Sequence, residues 1–268
     1  MAKLDSLELP LLLTASVSTR GMVGADFGDE DRERMYLETL RFYGQEVLAR
    51  DPGQRLVFAE NSGWDLKAMA AKLPSELASR IRWVAVDPAR SDISRGKGYN
   101  EILLVNEAMK GLGPRFLKLT GRYPIYNIRY FLRAAKRHFA SGGSFYGDMK
   151  DHRLFDWLRT GWNGHAAYTV LFATTVEFYQ KHLASSYADC NDYTDNWIEC
   201  VWYRILSPFR GRKASGVSLR FRREPVCGGL QGSNLAAKSF NKRNDSLRAK
   251  GQRFVGNCIR WFLPWFWF

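Results

Sequence analysis

Nowhere in the 268 residues does an apolar run reach the roughly 18 residues that a membrane-crossing helix needs, so no spanning helix is expected. Cysteine is scarce: Cys190, Cys200, Cys227 and Cys258 form no CxxC pair and have no paired histidine partners. That spacing argues against a disulfide framework and against a zinc-ligand pattern, and it fits a reduced, cytoplasmic chain. No internal repeat is present. The first residues, "MAKLDSLELPLLLTASVS", carry acids ahead of a short apolar core and so lack the layout of a secretion signal; they read as a first buried strand. Acidic residues are nearly missing from the last quarter. Residues 204–268 hold 14 Lys and Arg against Glu224 and Asp245 alone, a net of +12 out of the formal +13 of the whole chain.

What remains before residue 204 is close to neutral and ordinary for a globular protein, with 46% hydrophobic and 25% charged residues overall. The length suffices for one large domain, or one domain with an appendage. "LPLLLTASVS" reads as a strand buried on both faces, and "DEDRERMYLETLRFYGQEVLA" has helical apolar spacing. Further strands are expected at "QRLVFAE", "RIRWVAVD" and "RFLKLTGRY". Short helical segments fall between them at "DLKAMAAKLP" and after the "GKG" loop at residues 96–98. A glycine-rich turn with a strand, a strand–helix pair at "AAYTVLFATTVEFYQKHL" and a helix at "DNWIECVWYRIL", capped by Asp195, follow. This alternation predicts an α/β domain with a mostly parallel sheet, whose ligands sit at the carboxyl ends of the strands.

In that order, the segments "LLLTASVST", "FAENSGWDL", "GKGYNEILLVNEAM", "FLKLTGRYPIYN" and "DNWIECVWY" resemble bacterial GT-A-type glycosyltransferases of capsule and lipopolysaccharide assembly, over roughly the first 200 residues. The resemblance implies a GT-A-like, Rossmann-like catalytic domain over residues 1–206 and a basic, aromatic extension over 207–268. It implies transfer of a sugar from a nucleotide-activated donor to a glycan acceptor, expected to be lipid-linked.

The site residues expected on that basis follow the strand ends. Hydroxyls of Thr14, Ser16, Ser18 and Thr19 suit a nucleotide rim, although a plain turn would use them too. Glu60, Asn61 and Asp65 stand where such folds bind base or ribose, with a buried-turn role as the competitor for Asn61. Lys97, on a glycine-flanked loop opening a helix, suits a phosphate. "KLTGRY" stands where the resemblance puts a metal-binding Asp-x-Asp, yet it offers Lys118 and Arg122. Fixed positive charge would then stabilise the leaving phosphate, with Arg122 gripping two oxygens, and no metal is required. The alternative is a Mn2+ or Mg2+ site rebuilt from Asp148 and Asp151, beside His152. The general base is sought in "DNWIE", with Asp195 and Glu199 both open. "EPVCGGLQGSNL", around Gln231 and Ser233, suits a closing loop, and His138, His165 and His182 suit structural roles.

The tail mixes basic residues with Phe254, Val255, Ile259, Trp261, Phe262, Leu263, Trp265, Phe266, Trp267 and Phe268. Such a mixture fits a segment lying on an anionic membrane surface, which would place the protein peripherally on the inner face of the cell membrane. Nucleic-acid binding by the tail is the alternative from a different class, and packing of the aromatics on the domain or a second subunit is a third.

Overall fold

The computed structural model describes residues 7–19, 21–22, 27–151, 164–211, 216–229 and 246–262. Nine strands lie among them: β1 (Leu11–Ala15), β2 (Leu56–Glu60), β3 (Ile81–Ala85), β4 (Arg115–Thr120), β5 (Phe145–Tyr146), β6 (Met149–Asp151), β7 (His165–Ala167), β8 (Leu171–Thr175) and β9 (Val217–Ser218). Eight α-helices accompany them: α1 (Asp29–Tyr43), α2 (Leu66–Ala71), α3 (Ser75–Ser79), α4 (Gly96–Ala108), α5 (Ile128–Ala140), α6 (Val176–His182), α7 (Ile198–Leu206) and α8 (Leu247–Phe262).

Seven strands form one sheet in the order β3-β2-β1-β4-β8-β5-β9, and β6 pairs with β7 separately. β1, β2, β3 and β4 are mutually parallel, β8 runs antiparallel to both β4 and β5, and β9 is parallel to β5. The expected α/β architecture, a mostly parallel sheet flanked by helices, is therefore present.

Side-chain alternation explains the layering. Leu11 and Leu13 of β1, Leu56 and Phe58 of β2, and Leu117 and Leu119 of β4 enter one apolar cluster with α1 and α5. Leu12, Val57, Ala59 and Phe116 point the other way, into a second cluster with α4, α6 and α7. Every residue of β1 and β2 is buried, as a strand covered on both faces requires.

Three features depart from the sequence reading. Helix α5 was not anticipated, although Ile128, Phe131, Leu132, Ala135 and Phe139 bury one helical face. The "GKG" residues are not a loop before a helix but its first turn, since α4 begins at Gly96. Part of the expected 207–268 extension packs into the α/β layers: Val217–Ser218 pair with β5 at the sheet edge, and Leu219 and Phe221 are buried.

The chain leaves β1 toward β2 and β3 on one side, while β4 pairs on the other. The carboxyl ends of β1 and β4 thus flank the point where strand order reverses. Open α/β sheets bind their ligands in the crevice that forms there.

Candidate active site

Gly121 sets how closely the ends of β1 and β4 approach each other. Its backbone N–H donates to the Thr14 carbonyl at 2.9 Å, and a Cβ there would lie 2.8 Å from the same oxygen. Only glycine lets the turn after β4 close on the end of β1 this tightly.

Arg122 follows directly and is 9% exposed. Its Nη2 contacts the Tyr123 hydroxyl at 3.4 Å, its guanidinium lies 5.3 Å from that ring centre, and its Nη1 is buried with no hydrogen-bond acceptor. A second guanidinium arrives from α1. Arg32, also buried, donates through Nε to the carbonyls of Ser16 and Val17 at 3.0 Å and through Nη2 to Ser16 at 2.6 Å. Burial lowers the Arg32 pKa, and the charge of Arg122 lowers it further. Among the described residues no carboxylate forms an ion pair with either arginine. Two buried cations thus act on each other at the ends of β1 and β4, and one of them has an unmatched donor.

Lys118 is spoken for inside the fold. It is 1% exposed on the α4-facing side of β4, and its ammonium meets the Glu101 carboxylate, the Thr120 hydroxyl at 3.1 Å and the Thr169 carbonyl at 2.8 Å. All three of its donors are thereby used. Of the two cations expected at a phosphate, Arg122 is the one with an unmatched donor, and Arg32 is coupled to it through its charge. Sequence patterning gave no hint of Arg32, which looks like one more charge in the "DEDRER" run until α1 turns it inward.

The other expected rim residues hold the loops in shape. Thr14 donates to Glu101 at 3.1 Å, and Ser16 donates to Asn61 at 2.6 Å. Asn61 passes a further bond to the Asn100 carbonyl at 3.3 Å. The Ser18 backbone N–H donates to the Ser62 hydroxyl oxygen at 2.9 Å, and Thr19 is buried. Glu60 is 1% exposed and accepts the backbone N–H groups of Val17, Ser62, Gly63 and Trp64 as well as the Ser62 hydroxyl. It clamps the β1 and β2 loops instead of presenting its carboxylate to the crevice. Asp65 caps α2, accepting from Lys67 and Ala68 at 3.0 Å.

The N-terminus of α4 is likewise filled from within. The Lys97 N–H donates to Asp192 at 2.6 Å, and the Gly98 N–H binds the same carboxylate. An anion therefore does sit at this helix end, but it is Asp192. Gly96, at φ +85°, leaves the room: a Cβ would lie 2.5 Å from that of Asp192.

Asp195 and Glu199 are separated by the fold. Helix α7 starts at Ile198 with Trp197 at its N-cap, so Asp195 does not cap it. Asp195 is exposed, in the left-handed region at φ +58°. Glu199 lies in the first turn of α7 and accepts the Thr169 hydroxyl at 3.2 Å. Burial raises its pKa, and the negative charges of Glu101 and Asp192 add to the rise. A continuous polar chain thus runs from Thr14 through Glu101, Lys118 and Thr169 to Glu199, beneath the β1–β4 crevice.

The alternative metal pair is divided. Asp148 pairs with Arg260 at 2.8 Å and accepts the Phe221 N–H. Asp151 pairs with Arg210 and accepts the Tyr203 hydroxyl at 3.1 Å. Among the described residues no group of three or more His, Cys, Asp and Glu could hold a metal ion, and His152 lies outside them. The donor set at the β4 end does not fit a divalent cation either, since Thr120, Gly121 and Arg122 offer no carboxylate.

Of the histidines, His138 meets the Gly216 carbonyl at 3.0 Å, His165 pairs with Asp151, and His182 packs on Phe178 and Phe209. Gly228 and Gly229 run against the Arg122 turn, Gly228 donating to the Pro124 carbonyl at 2.7 Å. Gln231 and Ser233 lie outside the described residues.

No family model matches the chain, and no curated protein matches it in sequence. Solved structures share the general course of its backbone. Galactosyltransferase LgtC, in complex with donor and acceptor sugar analogues, is 13% identical with a TM-score of 0.46, over 80% of this chain and 74% of that one. Mouse xyloside xylosyltransferase 1 is 11% identical with a TM-score of 0.44, over 80% and 85%. Mannosyltransferase PcManGT from Pyrobaculum calidifontis, in complex with GDP-Man and Mn2+, is 12% identical with a TM-score of 0.42, over 66% and 47%. At these scores no residue role is carried from them to this chain.

Proposed function

We propose that the protein is a GT-A-like glycosyltransferase that moves a sugar from a nucleotide-activated donor to a glycan acceptor without a metal ion. The observation that carries this reading is the buried Arg122–Arg32 pair at the sheet's switch point, with the Arg122 Nη1 unmatched. In the reaction the bond between the sugar's anomeric carbon and the phosphate oxygen breaks, and the electron pair leaves with the phosphate. Charge grows on that phosphate as the bond lengthens, and the guanidinium is already in place to meet it. Fixed donors of this kind typically lower the barrier by about 3 kcal/mol. The acceptor oxygen forms the new bond and gives its proton to a carboxylate. Glu199 suits that step, because its raised pKa favours proton uptake and its hydrogen bonds connect it to the crevice.

We further propose that the acceptor is lipid-linked and that the protein works at the inner face of the cell membrane, within surface polysaccharide assembly. Helix α8 supports this reading. Leu247, Phe254, Val255, Trp261 and Phe262 are exposed along one side of it, with Arg248 and Lys250 flanking the stripe. Asn257 and Arg260 hold the other side to the domain. Apolar exposure beside basic residues suits the boundary of an anionic bilayer.

A thermal-shift series with nucleoside mono- and diphosphates and nucleotide sugars, run with manganese and with EDTA, tests the donor site. One nucleotide class should stabilise the wild type equally in EDTA and fail to stabilise Arg122→Ala. A shift seen only with manganese would overturn the metal-free reading, and no shift with any nucleotide would overturn the donor site itself.

A further inference from the structure

Helix α4 buries Leu104, Val105 and Ala108, and one turn before them the same face carries a carboxylate, Glu101. Periodicity alone would put an apolar residue there. Glu101 is instead held against β1 and β4. The Thr14 hydroxyl donates to its Oε1 at 3.1 Å, and the Lys118 ammonium meets the same oxygen. Both donors sit in the core, Thr14 being 4% and Lys118 1% exposed, so the carboxylate has a fixed position. The Glu101 side chain is nevertheless 23% exposed, and its Oε2 accepts no hydrogen bond among the described residues. A carboxylate pinned by one oxygen, with the other unmatched and water able to reach the side chain, is built to accept a donor from outside.

Thr14 links this oxygen to the arginine described above. Its carbonyl accepts from Gly121, the residue before Arg122, at 2.9 Å, while its hydroxyl holds Glu101. An arginine with an unmatched Nη1 and a carboxylate with an unmatched Oε2 are thus tied to one threonine. The two call for different chemistry. A guanidinium takes an anion, whereas an ionised carboxylate takes a neutral donor such as a hydroxyl. Lys118 reconciles them, because matching the charge of Glu101 offsets the repulsion that a bare carboxylate would exert on a nearby phosphate. A nucleotide sugar carries phosphate and polyol in one molecule. We propose that Glu101 is a specificity-determining residue whose Oε2 accepts a hydroxyl of the sugar being transferred. The inference rests on the glycosyl-transfer reading above and adds to it the group that recognises the sugar.

Calorimetry on the full chain tests this, with UDP, GDP and CMP as probes beside UDP-glucose, UDP-galactose, GDP-mannose and CMP-sialic acid. Manganese is included, which keeps the outcome separate from the metal-free reading. The wild type should bind one sugar nucleotide more tightly than the free nucleotide. Glu101→Asp shortens the side chain by one methylene. It should weaken that sugar nucleotide by about tenfold or more, the value of one charge-assisted hydrogen bond, and leave the free nucleotide unchanged. Equal loss for both would mean a purely structural role and overturn the proposal, as would unchanged affinity for the sugar nucleotide. Nucleotide binding with no gain from any of the sugars would overturn the proposal alone. No binding of any nucleotide by the wild type would overturn the donor site and the proposal with it. Glu101→Leu combined with Lys118→Met replaces the ion pair by apolar side chains and strands no charge, so it keeps the test decisive if Glu101→Asp fails to fold. The double variant should show the same selective loss.

Discussion

Lys118 gives its charge to Glu101 inside the sheet-helix layer, although the sequence pattern led us to expect it at a phosphate. The two partners are unequally buried, the lysine side chain being 1% exposed and the glutamate 23%. Breaking the pair should therefore be asymmetric. Glu101→Gln leaves a cation enclosed beside Phe172 and should cost on the order of 3–5 kcal/mol, whereas Lys118→Met leaves a carboxylate that water can reach and should cost less. Urea unfolding of the two variants checks the order, and a larger loss for Lys118→Met would contradict it.

Arg122 should behave in the opposite way, with a small effect on stability and a large one on turnover. Arg122→Ala removes an unmatched Nη1 and, within the described residues, only the 3.4 Å contact and ring stacking with Tyr123, and should lower transfer by about 100-fold. Arg122→Lys should recover little of this, since an ammonium cannot reproduce the two-pronged contact. Steady-state kinetics paired with a melting curve for each variant reads both effects; full activity in Arg122→Ala would remove the residue from the site.

Glu199 predicts a pH profile. Its pKa is raised by burial and by the charges of Glu101 and Asp192, so it holds its proton to a higher pH than an ordinary glutamate. A base must be deprotonated, so kcat/KM should fall on acidification, with a midpoint above the usual carboxylate range of about 4.3. Glu199→Gln should abolish the activity governed by that limb while donor binding persists, and Asp195→Asn should leave the limb where it was. A wild-type limb at the ordinary carboxylate value would point to another base.

For the tail, the fold dictates which variant is informative. Cutting before Phe254 would remove Arg260 and leave Asp148 buried without its partner, confusing attachment with stability. Phe254→Ser with Phe262→Ser keeps Arg260 and removes only exposed apolar surface. The double variant should leave anionic vesicles in high salt, where the wild type stays bound, because salt screens the basic residues but not buried rings. Tight, salt-sensitive binding to single-stranded nucleic acid with no preference for vesicles would favour the other class of partner.

Gly121 offers a purely steric check. Gly121→Ala places a methyl 2.8 Å from the Thr14 carbonyl and against the Tyr36 ring, and should cost about 1–3 kcal/mol. A wild-type urea midpoint would show that the turn has slack.

The sequence alone was enough for the α/β class and for the first four strands along the chain. Those follow from local pattern: short apolar runs alternating with helical spacing, and polar turns at fixed places. It was enough, too, to show that β4 and the turn after it carry Lys118 and Arg122. The division of labour among those cations was decided only by tertiary structure. Lys118 and Arg122 are four residues apart, yet strand alternation drives one into the layer where Glu101 waits, while the turn at Gly121 carries the other to the crevice. Arg32 joined the site because α1 packs its buried face against the β1 loop, a contact that no local pattern encodes. Asp192 and Asp148 were claimed by α4 and α8 for the same reason. Which charge meets which is a property of distance in space, and the chain brings those partners from about 95 and 112 positions away.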